Sequence, residues 1–268
     1  MRHVRTWLRW VTQTAACAVG AALLLGGCSV CRPESATQSH TNPAATVAWL
    51  GQPTSVSAAL LLRSVDAKGE SILFTMYLWR SADGRTRVLL TKIDVDVVNL
   101  LVQRDGSFTA FAPRSKLSTQ GDFNDPRLPA GLADMRLLLS EVCDGPLTPA
   151  LAKVLKPSDH DNVRTGSVSP DLVATVTFAP ESDEVREKVL RDTRGNLLYQ
   201  LRYRTYQAYD DFHRPTKVDA VVADGSSLIA NLRRFEALGD ISPERMRLII
   251  PDTARAVPIT EFLEHLDQ

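Results

Sequence analysis

The sequence of 268 residues lacks both a long hydrophobic run and an excess of charge of either sign. The apolar run Ala15–Leu25 is far shorter than the ~20 apolar residues that cross a bilayer as a helix. The 31 basic residues are balanced by 31 acidic ones. Because no surplus of positive charge is present, electrostatics gives no reason to expect a nucleic-acid partner.

Cysteine is also scarce, with four residues in the chain. Cys17 lies inside an N-terminal segment that resembles a signal, and Cys28 lies at its end. Cys31 and Cys143 remain, and one pair cannot form the disulfide framework of a small secreted domain. Two alternatives stay open: a single disulfide in an oxidising compartment, or two unpaired thiols with Cys143 packed as a small apolar side chain.

Motifs for catalysis are missing as well. The sequence contains no HExxH helix, no G-x-S-x-G nucleophile elbow and no glycine-rich phosphate loop. Asp159-His160-Asp161 has residue types that bind metals, but adjacent residues in a polar loop seldom converge on one ion. We therefore expect no metal site and no enzyme activity, and a hydrolase that uses His160 or His213 is the weakest of the functions considered.

The N-terminal segment has the three parts of a secretory signal. Three arginines lie within the first nine residues, and the apolar run follows them. Gly26 and Gly27 are small residues of the kind that a signal peptidase needs at its cleavage site. The sequence therefore predicts a signal peptide over residues 1–27. Its removal takes three of the 31 basic residues and leaves 28 against 31 acidic ones.

Leu25-Gly26-Gly27-Cys28 resembles the lipobox of bacterial lipoproteins, in which a branched aliphatic residue and two small residues precede a cysteine. The resemblance implies that the Cys28 thiol receives a diacylglycerol, that a peptidase cuts before Cys28, and that the new amine can receive an acyl chain. Two or three chains hold a protein firmly on a membrane, since each buried CH₂ contributes ~0.8 kcal/mol. The alternative is an ordinary secretory signal with an incidental cysteine.

The residue after Cys28 bears on localisation. In bacterial lipoproteins, Asp at this position is associated with retention in the inner membrane. Ser29 therefore implies anchoring in the outer membrane, with the protein facing the periplasm of a two-membrane cell. The resemblance implies no cofactor other than the covalent lipid.

After the lipidated cysteine, the chain is predicted to divide into a tether and one domain. Residues 28–46 are rich in Ser, Thr, Pro and Asn and have no apolar period, which is typical of a flexible tether. Residues 47–268 are numerous enough to bury a substantial core as one domain.

Period-two alternation and short turns predict an antiparallel sheet in the first part of this domain. Asp83-Gly84 and Asp105-Gly106 are typical hairpin turns. Such short connections favour antiparallel pairing, because parallel pairs need long crossovers. The predicted strands are Val56–Arg63, Ser71–Arg80, Thr86–Lys92, Val95–Arg104 and Ser107–Ala112.

The middle of the domain is predicted to be helical, with loops on either side. Leu132–Val142 and Thr148–Leu155 have apolar residues at helical spacing. Residues 119–129 and 156–170 are polar and contain Gly or Pro, so they are predicted to be loops. Strands then resume, and the remaining predicted elements are strands Leu172–Phe178, Glu184–Asp192, Leu197–Tyr206, Pro215–Val222, Ser227–Phe235 and Arg247–Ile250, and the helix Pro258–Leu266.

Two segments resemble parts of a known superfamily. Ser71–Trp79 and Arg85–Leu90 are similar to an early hairpin in which a strand ending near Trp leads into an arginine-flanked one. Gly195–Leu197, Tyr203–Tyr209 and Arg214–Val218 are similar to a late segment in which a tyrosine-bearing strand leads through a Pro to the next. With the order of elements, these segments resemble the LolA/LolB lipoprotein-carrier superfamily over about residues 47–250.

This resemblance implies an α+β fold, a curved antiparallel incomplete β-barrel with short helices covering its concave side. It also implies that the concave side holds acyl chains of lipoproteins or other lipids, which requires an apolar inner face. The alternative is that the same residues form a packed core under the helices. The candidate cavity residues are Phe74, Met76, Leu78, Val88, Leu90, Leu197, Tyr199 and Leu201.

One feature of the superfamily is not evident in the sequence. Its outer-membrane receptor inserts lipoproteins through a protruding apolar loop. Residues 128–132 are the candidate for such a loop, but the start of a helix is the preferred interpretation of this stretch.

Two functions from different classes fit these patterns. The first is a membrane-anchored, non-catalytic envelope lipoprotein that binds acyl chains, or lipoprotein or lipid cargo, in a hydrophobic cavity. The second is a structural or assembly lipoprotein that holds a partner protein and has no lipid ligand. A filled interior together with an exposed apolar edge strand would favour the second.

Overall fold

A computed structural model describes residues 42–125, 128, 130–180 and 182–266 of the chain. The predicted signal peptide, the lipobox, Cys28 and Ser29 lie outside the described residues, as does most of the predicted tether.

One sheet of 14 strands forms the scaffold of the described part of the chain. From β1, strands β2 to β6 follow in chain order towards one end of the sheet, and from β13 the strands follow in reverse order to β7 at the other end. The strands are β1 (Ser55–Val65), β2 (Ser71–Arg80), β3 (Thr86–Lys92), β4 (Val95–Val102), β5 (Ser107–Ala112), β6 (Leu117–Asp122), β7 (Lys156–Pro157), β8 (Val163–Ser169), β9 (Leu172–Phe178), β10 (Val185–Asp192), β11 (Leu197–Tyr209), β12 (Phe212–Val222), β13 (Ser227–Leu238) and β14 (Arg255–Ala256).

Two meanders make up this sheet, and the pairing of β1 with β13 joins them. This antiparallel pair runs from Ser55 opposite Leu238 to Val65 opposite Ser227. Short turns connect neighbours within each meander, which explains the antiparallel ladders. The two-residue strands β14 and β7 lie at opposite ends, so the sheet stays open, and the parallel pair of β14 with β6 is the exception to the antiparallel rule. The predicted fold class is confirmed.

Four helices accompany the sheet in the described residues, namely α1 (Pro43–Leu50), α2 (Ala130–Asp144), α3 (Pro149–Val154) and α4 (Ile259–His265). Helix α1 begins inside the segment that was predicted to be tether, because Asn42 caps it by accepting a hydrogen bond from the Ala44 amide at 3.0 Å and Pro43 suits the first turn. The predicted tether over residues 28–46 is therefore wrong at its C-terminal end.

Helix α2 packs on the sheet where two hydrophobic clusters meet. Met135, Leu138 and Leu139 belong to a large cluster with β1 to β5. Leu137 packs against a second cluster, which α1 and α3 form with β9 to β11. The helix thus covers both meanders at once.

Two predicted loops contain strands instead. Strand β6 alternates buried Leu117 and Thr119 with less buried residues, and its polar composition conceals the period. Strand β8 buries Arg164 and Gly166, which carry no apolar signal. The short strand predicted at Arg247–Ile250 is absent from the structure, and β14 pairs a few residues further on.

Gly166 lets α3 approach β8 closely. A Cβ atom at this position would lie 2.4 Å from the carbonyl oxygen of Val154, at the end of α3. Real Cβ atoms do not approach backbone this closely, so glycine is needed here for packing.

Candidate ligand cavity

Helix α2 encloses a small apolar cavity against strands β11, β12 and β13. Its volume is about 30 Å³, and its walls are almost entirely apolar. A cavity of this size has room for about one water molecule, so an acyl chain does not fit unless α2 moves away from the sheet. The lining residues are Leu137, Leu138 and Glu141 of α2 and Tyr199, Leu201, Val218, Ala220, Val222, Leu228 and Ala230 of the strands.

A buried ion pair lies beside this cavity. The Lys188 ammonium on β10 contacts the Glu141 carboxylate on α2, and their side chains are 7% and 3% exposed. Lys188 Nζ also donates to the Pro146 carbonyl oxygen at 3.1 Å. The Tyr203 hydroxyl on β11 donates to the other carboxylate oxygen of Glu141 at 2.6 Å. Each oxygen of the carboxylate therefore has a donor on the sheet, as a buried charge requires.

Strand register explains why the two donors converge. Lys188 lies directly opposite Leu201 in the pairing of β10 with β11, so their side chains project to the same face of the sheet. Tyr203 follows Leu201 by two residues and shares that face. Since Leu201 and Glu141 both line the cavity, the ion pair borders it through the Glu141 carboxylate.

Tyr203 is held in its protonated form. Burial raises the pKa of its hydroxyl well above the usual value of 10, and the neighbouring Glu141 carboxylate raises it further. The hydroxyl is therefore a hydrogen-bond donor at neutral pH and not a base.

The last turn of α2 is also attached to the other meander. Asp144 forms an ion pair with Arg80 of β2, and the Ser140 hydroxyl donates to the same carboxylate at 3.2 Å. Between these contacts Cys143 is 2% exposed, and burial raises the pKa of its thiol to about 12. The C-terminal end of α2 is thus fixed to both meanders.

Arg214 fixes helix α1 in a similar way. Its guanidinium donates to the carbonyl oxygens of Leu50 and Gly51, the latter at 3.1 Å. It also lies 4.9 Å from the centre of the Phe235 ring, within range of a cation–π interaction. A cation suits the C-terminal end of a helix, where carbonyl groups lack intrahelical partners.

The two histidines considered for catalysis lie apart from the cavity. The ring of His213 stacks on Trp49 at 4.4 Å, and its Nδ1 lies 3.0 Å from the Trp49 carbonyl oxygen. His160 is exposed in the turn between β7 and β8. Among the described residues, no group of three His, Cys, Asp or Glu side chains could hold a metal ion.

The predicted cavity residues fall into two groups. Tyr199 and Leu201 line the cavity. Leu197 is half-buried at the start of β11. The other five lie on β2 and β3 in the large core cluster and are at most 3% exposed: Phe74, Met76, Leu78, Val88 and Leu90. Their role as ligand contacts stays a prediction.

Sequence reasoning missed the charged members of the site. Lys188 and Leu190 both lie on the buried face of β10, so the signal was a lysine at an apolar position of an alternating strand. Glu141 is three residues after Leu138 and lies on the apolar face of α2. An acidic residue on the buried face of one element and a basic residue on the buried face of another predict an ion pair between the two elements.

An exposed apolar turn was missed as well. The turn between β3 and β4 carries Ile93, which is 88% exposed, and Val95, which is 55% exposed. Ile93 has a φ of 51°, an unusual conformation for a β-branched residue. Leu128, from the stretch considered for a protruding loop, is half-buried and packs against the large core cluster.

The helices give no sign of a membrane span: across the part of the chain described here, none combines the length and the apolar composition that a bilayer crossing requires.

No protein-family model and no curated protein matches the sequence. Solved structures do resemble it. A LolA superfamily protein from Nitrosomonas europaea has a TM-score of 0.53 and 11% identity, with 80% of this chain and 99% of that chain covered. A domain from Vibrio parahaemolyticus, described as belonging to an outer membrane lipoprotein-sorting protein, has a TM-score of 0.50 and 12% identity, with 78% and 96% covered. The chain therefore shares the incomplete-barrel fold of LolA superfamily structures, an open and mostly antiparallel sheet with a few short helices.

Proposed function

We propose that this protein is a membrane-anchored envelope lipoprotein that binds acyl chains, or lipoprotein or lipid cargo, between helix α2 and the sheet, without catalysis. The observation that carries the proposal is the apolar cavity under α2 in an open half-barrel. The printed description of the Vibrio parahaemolyticus domain, which names lipoprotein sorting, supports the same class of ligand.

An exchange of apolar contacts would make such binding reversible. Leu137 and Leu138 of α2 now cover the strand residues that line the cavity. Burial of apolar surface contributes ~25 cal/mol per Å² whether the covering group is a leucine or an acyl chain. An acyl chain that replaces α2 on the sheet therefore regains much of the burial free energy that the helix loses. The net free energy of binding then stays small enough for release.

Anchoring would come from the acylated Cys28, with Ser29 favouring the outer membrane. The turn at Ile93 would add an apolar contact, because an exposed aliphatic side chain suits the membrane interface. One weak contact and one firm anchor would hold the domain near lipid.

The cargo test uses the full chain with Cys28→Ala, which cannot receive the anchor. The protein is purified without detergent, extracted with organic solvent and assayed by mass spectrometry for lipid. It is also titrated with a fluorescent neutral acyl probe. Bound lipid, or saturable binding near one probe per chain, is expected. A chain that neither carries lipid nor binds the probe contradicts the proposal.

The anchor has its own test. Cells grown with radiolabelled palmitate should yield a labelled protein, and its intact mass should equal that of residues 28–268 plus diacylglycerol and an acyl chain. The Cys28→Ala variant should be unlabelled. A processed wild-type chain of unmodified mass would overturn the anchoring.

A structural or assembly lipoprotein remains the second candidate, because the cavity of about 30 Å³ means that the space between α2 and strands β11 to β13 is nearly filled. One edge of the sheet argues against this second candidate. Edge strand β7 consists of Lys156 and Pro157, residues that block pairing with a partner strand.

A further inference from the structure

We propose that Lys188 and Tyr203 form a carboxylate-binding site that Glu141 of α2 occupies in this structure, and that the ligand competing for it is a single-chain fatty acid. The inference rests on the proposed function, because it requires an acyl ligand under α2. It specifies which head group that ligand carries.

The two donors and the carboxylate lie on different elements. Lys188 and Tyr203 lie on the neighbouring strands β10 and β11, whereas the carboxylate that they bind belongs to α2. The cavity of about 30 Å³ requires α2 to move before any chain can enter. That movement takes the Glu141 carboxylate away and leaves both donors on the sheet.

Both donors then require a new acceptor. Lys188 Nζ would lose its counter-charge, and its other acceptor, the Pro146 carbonyl oxygen, carries no formal charge to replace it. An unpaired buried ammonium is strongly unfavourable, so a replacement anion is favoured at this position. The Tyr203 hydroxyl is protonated and needs an acceptor as well. A carboxylate has two oxygens and satisfies both donors at once, as Glu141 does here.

The rest of the ligand would contact an apolar surface. From Leu201, the cavity wall continues across β12 and β13 through Val218, Ala220 and Leu228. This surface offers no polar group to a second head, and it suits an aliphatic chain that extends from a carboxylate at Lys188. An alkyl amine would meet a like charge, and an alcohol would leave the ammonium unpaired.

The test compares two ligands with the same chain. Palmitate and hexadecanol compete against a fluorescent neutral acyl probe on the full Cys28→Ala chain at pH 8, below the concentration at which either ligand self-associates. Because both must displace α2, its cost cancels in the ratio of the two dissociation constants. With wild-type residues at the site, the dissociation constant of palmitate should be at least tenfold lower than that of hexadecanol. This ratio is the preference for palmitate. Equal affinities would overturn the inference.

Variants locate the preference. The double variant Glu141→Gln with Lys188→Met removes both charges together, which avoids an unpaired buried charge. Hexadecanol should still bind to it, and the dissociation constants of palmitate and hexadecanol should be about equal. Tyr203→Phe removes one donor and should lower the preference severalfold. Lys156→Met, at an exposed lysine, should leave it unchanged. A tenfold preference that survives the double variant contradicts the site.

Failure of the inference is distinguishable from failure of the proposed function. If palmitate and hexadecanol compete equally well, acyl binding stands and the carboxylate site is wrong. If the probe itself does not bind, the proposed function fails and the inference fails with it. Circular dichroism and the urea midpoint of each variant establish that it is folded.

Discussion

Lys188 of β10 and Glu141 of α2 form an ion pair between the sheet and the helix that covers it, with side chains that are 7% and 3% exposed. Opposite charges so deeply buried stabilise little beyond what apolar residues of similar size would give, but each partner depends on the other. The pair thereby makes the position of α2 sensitive to a single charge, which is the property that a competing anion would exploit.

Loss of one partner should be costly. Lys188→Met leaves the Glu141 carboxylate buried and unpaired, and we expect the free energy of unfolding to fall by about 3–5 kcal/mol. Addition of Glu141→Gln should restore most of the loss. Urea unfolding measures both. Arg234→Met, which breaks an exposed pair with side chains 65% and 38% exposed, is the control and should change stability by less than about 1 kcal/mol. Equal effects of Lys188→Met and Arg234→Met would contradict the buried pair.

Alkaline pH should destabilise the protein through Tyr203. Its pKa in the folded state lies above the ordinary value of 10, so the contribution of the neutral phenol is fully present below pH 10. It is lost as the pH rises above 10, because the unfolded chain releases the proton first. Each fully titrating group contributes a slope of up to ~1.4 kcal/mol per pH unit. Tyr203→Phe should flatten this decline in urea unfolding between pH 9.5 and 11. An unchanged slope would mean that the phenol ionises as freely in the fold as outside it.

The thiol of Cys143 should be unreactive in the folded protein. Burial raises its pKa to about 12 from 9.0, which lowers the thiolate fraction at pH 8 by ~1000-fold. Alkylation with iodoacetamide, followed by peptide mapping, should label Cys143 only after unfolding in urea. Labelling at equal rates in both states would show that α2 opens far more often than its contacts suggest.

The sheet could be predicted from the sequence wherever its strands alternate strongly. Strands β2 and β3 have the predicted bounds, because most of their buried positions are aliphatic or aromatic and the turn between them carries Asp-Gly. Strand β6 could not be found in this way, since its burial comes from pairing with β5 and its sequence is mostly polar. The pairing of β1 with β13 is also invisible locally, because residues more than 160 positions apart meet there.

The candidate site likewise contains residues that the sequence pattern predicts and residues that it does not. Leu201 and Tyr199 could be predicted as cavity residues because they lie on the apolar side of one alternating strand. Glu141 and Lys188 are 47 positions apart and each contradicts the apolar pattern around it, so neither is recognisable before the helix is placed on the sheet. What the sequence lacked was the direction in which α2 crosses the strands.

Close packing of α3 on β8 should make Gly166 irreplaceable. Gly166→Ala places a Cβ atom 2.4 Å from the Val154 carbonyl oxygen, so α3 must shift, and we expect a loss of about 1–3 kcal/mol in urea unfolding. Gly239→Ala is the matched control, because a Cβ atom there meets nothing within 4 Å. It should change stability by less than about 1 kcal/mol. A tolerated alanine at position 166 would mean that α3 lies further from β8.

We expect Ile93 to lower the stability of the fold and to contact lipid. Ile93 has a φ of 51°, which a β-branched residue adopts only with strain, and asparagine tolerates that conformation well. Ile93→Asn should therefore stabilise the fold by up to about 1 kcal/mol. On the Cys28→Ala chain, the same change should weaken co-sedimentation with phospholipid vesicles, because it removes an aliphatic side chain that is 88% exposed. Val168→Asn replaces another exposed β-branched residue, 47% exposed on β8 in the other meander, and should leave vesicle binding unchanged. If Ile93→Asn stabilises the fold and vesicle binding persists, the strained isoleucine has no role at the membrane.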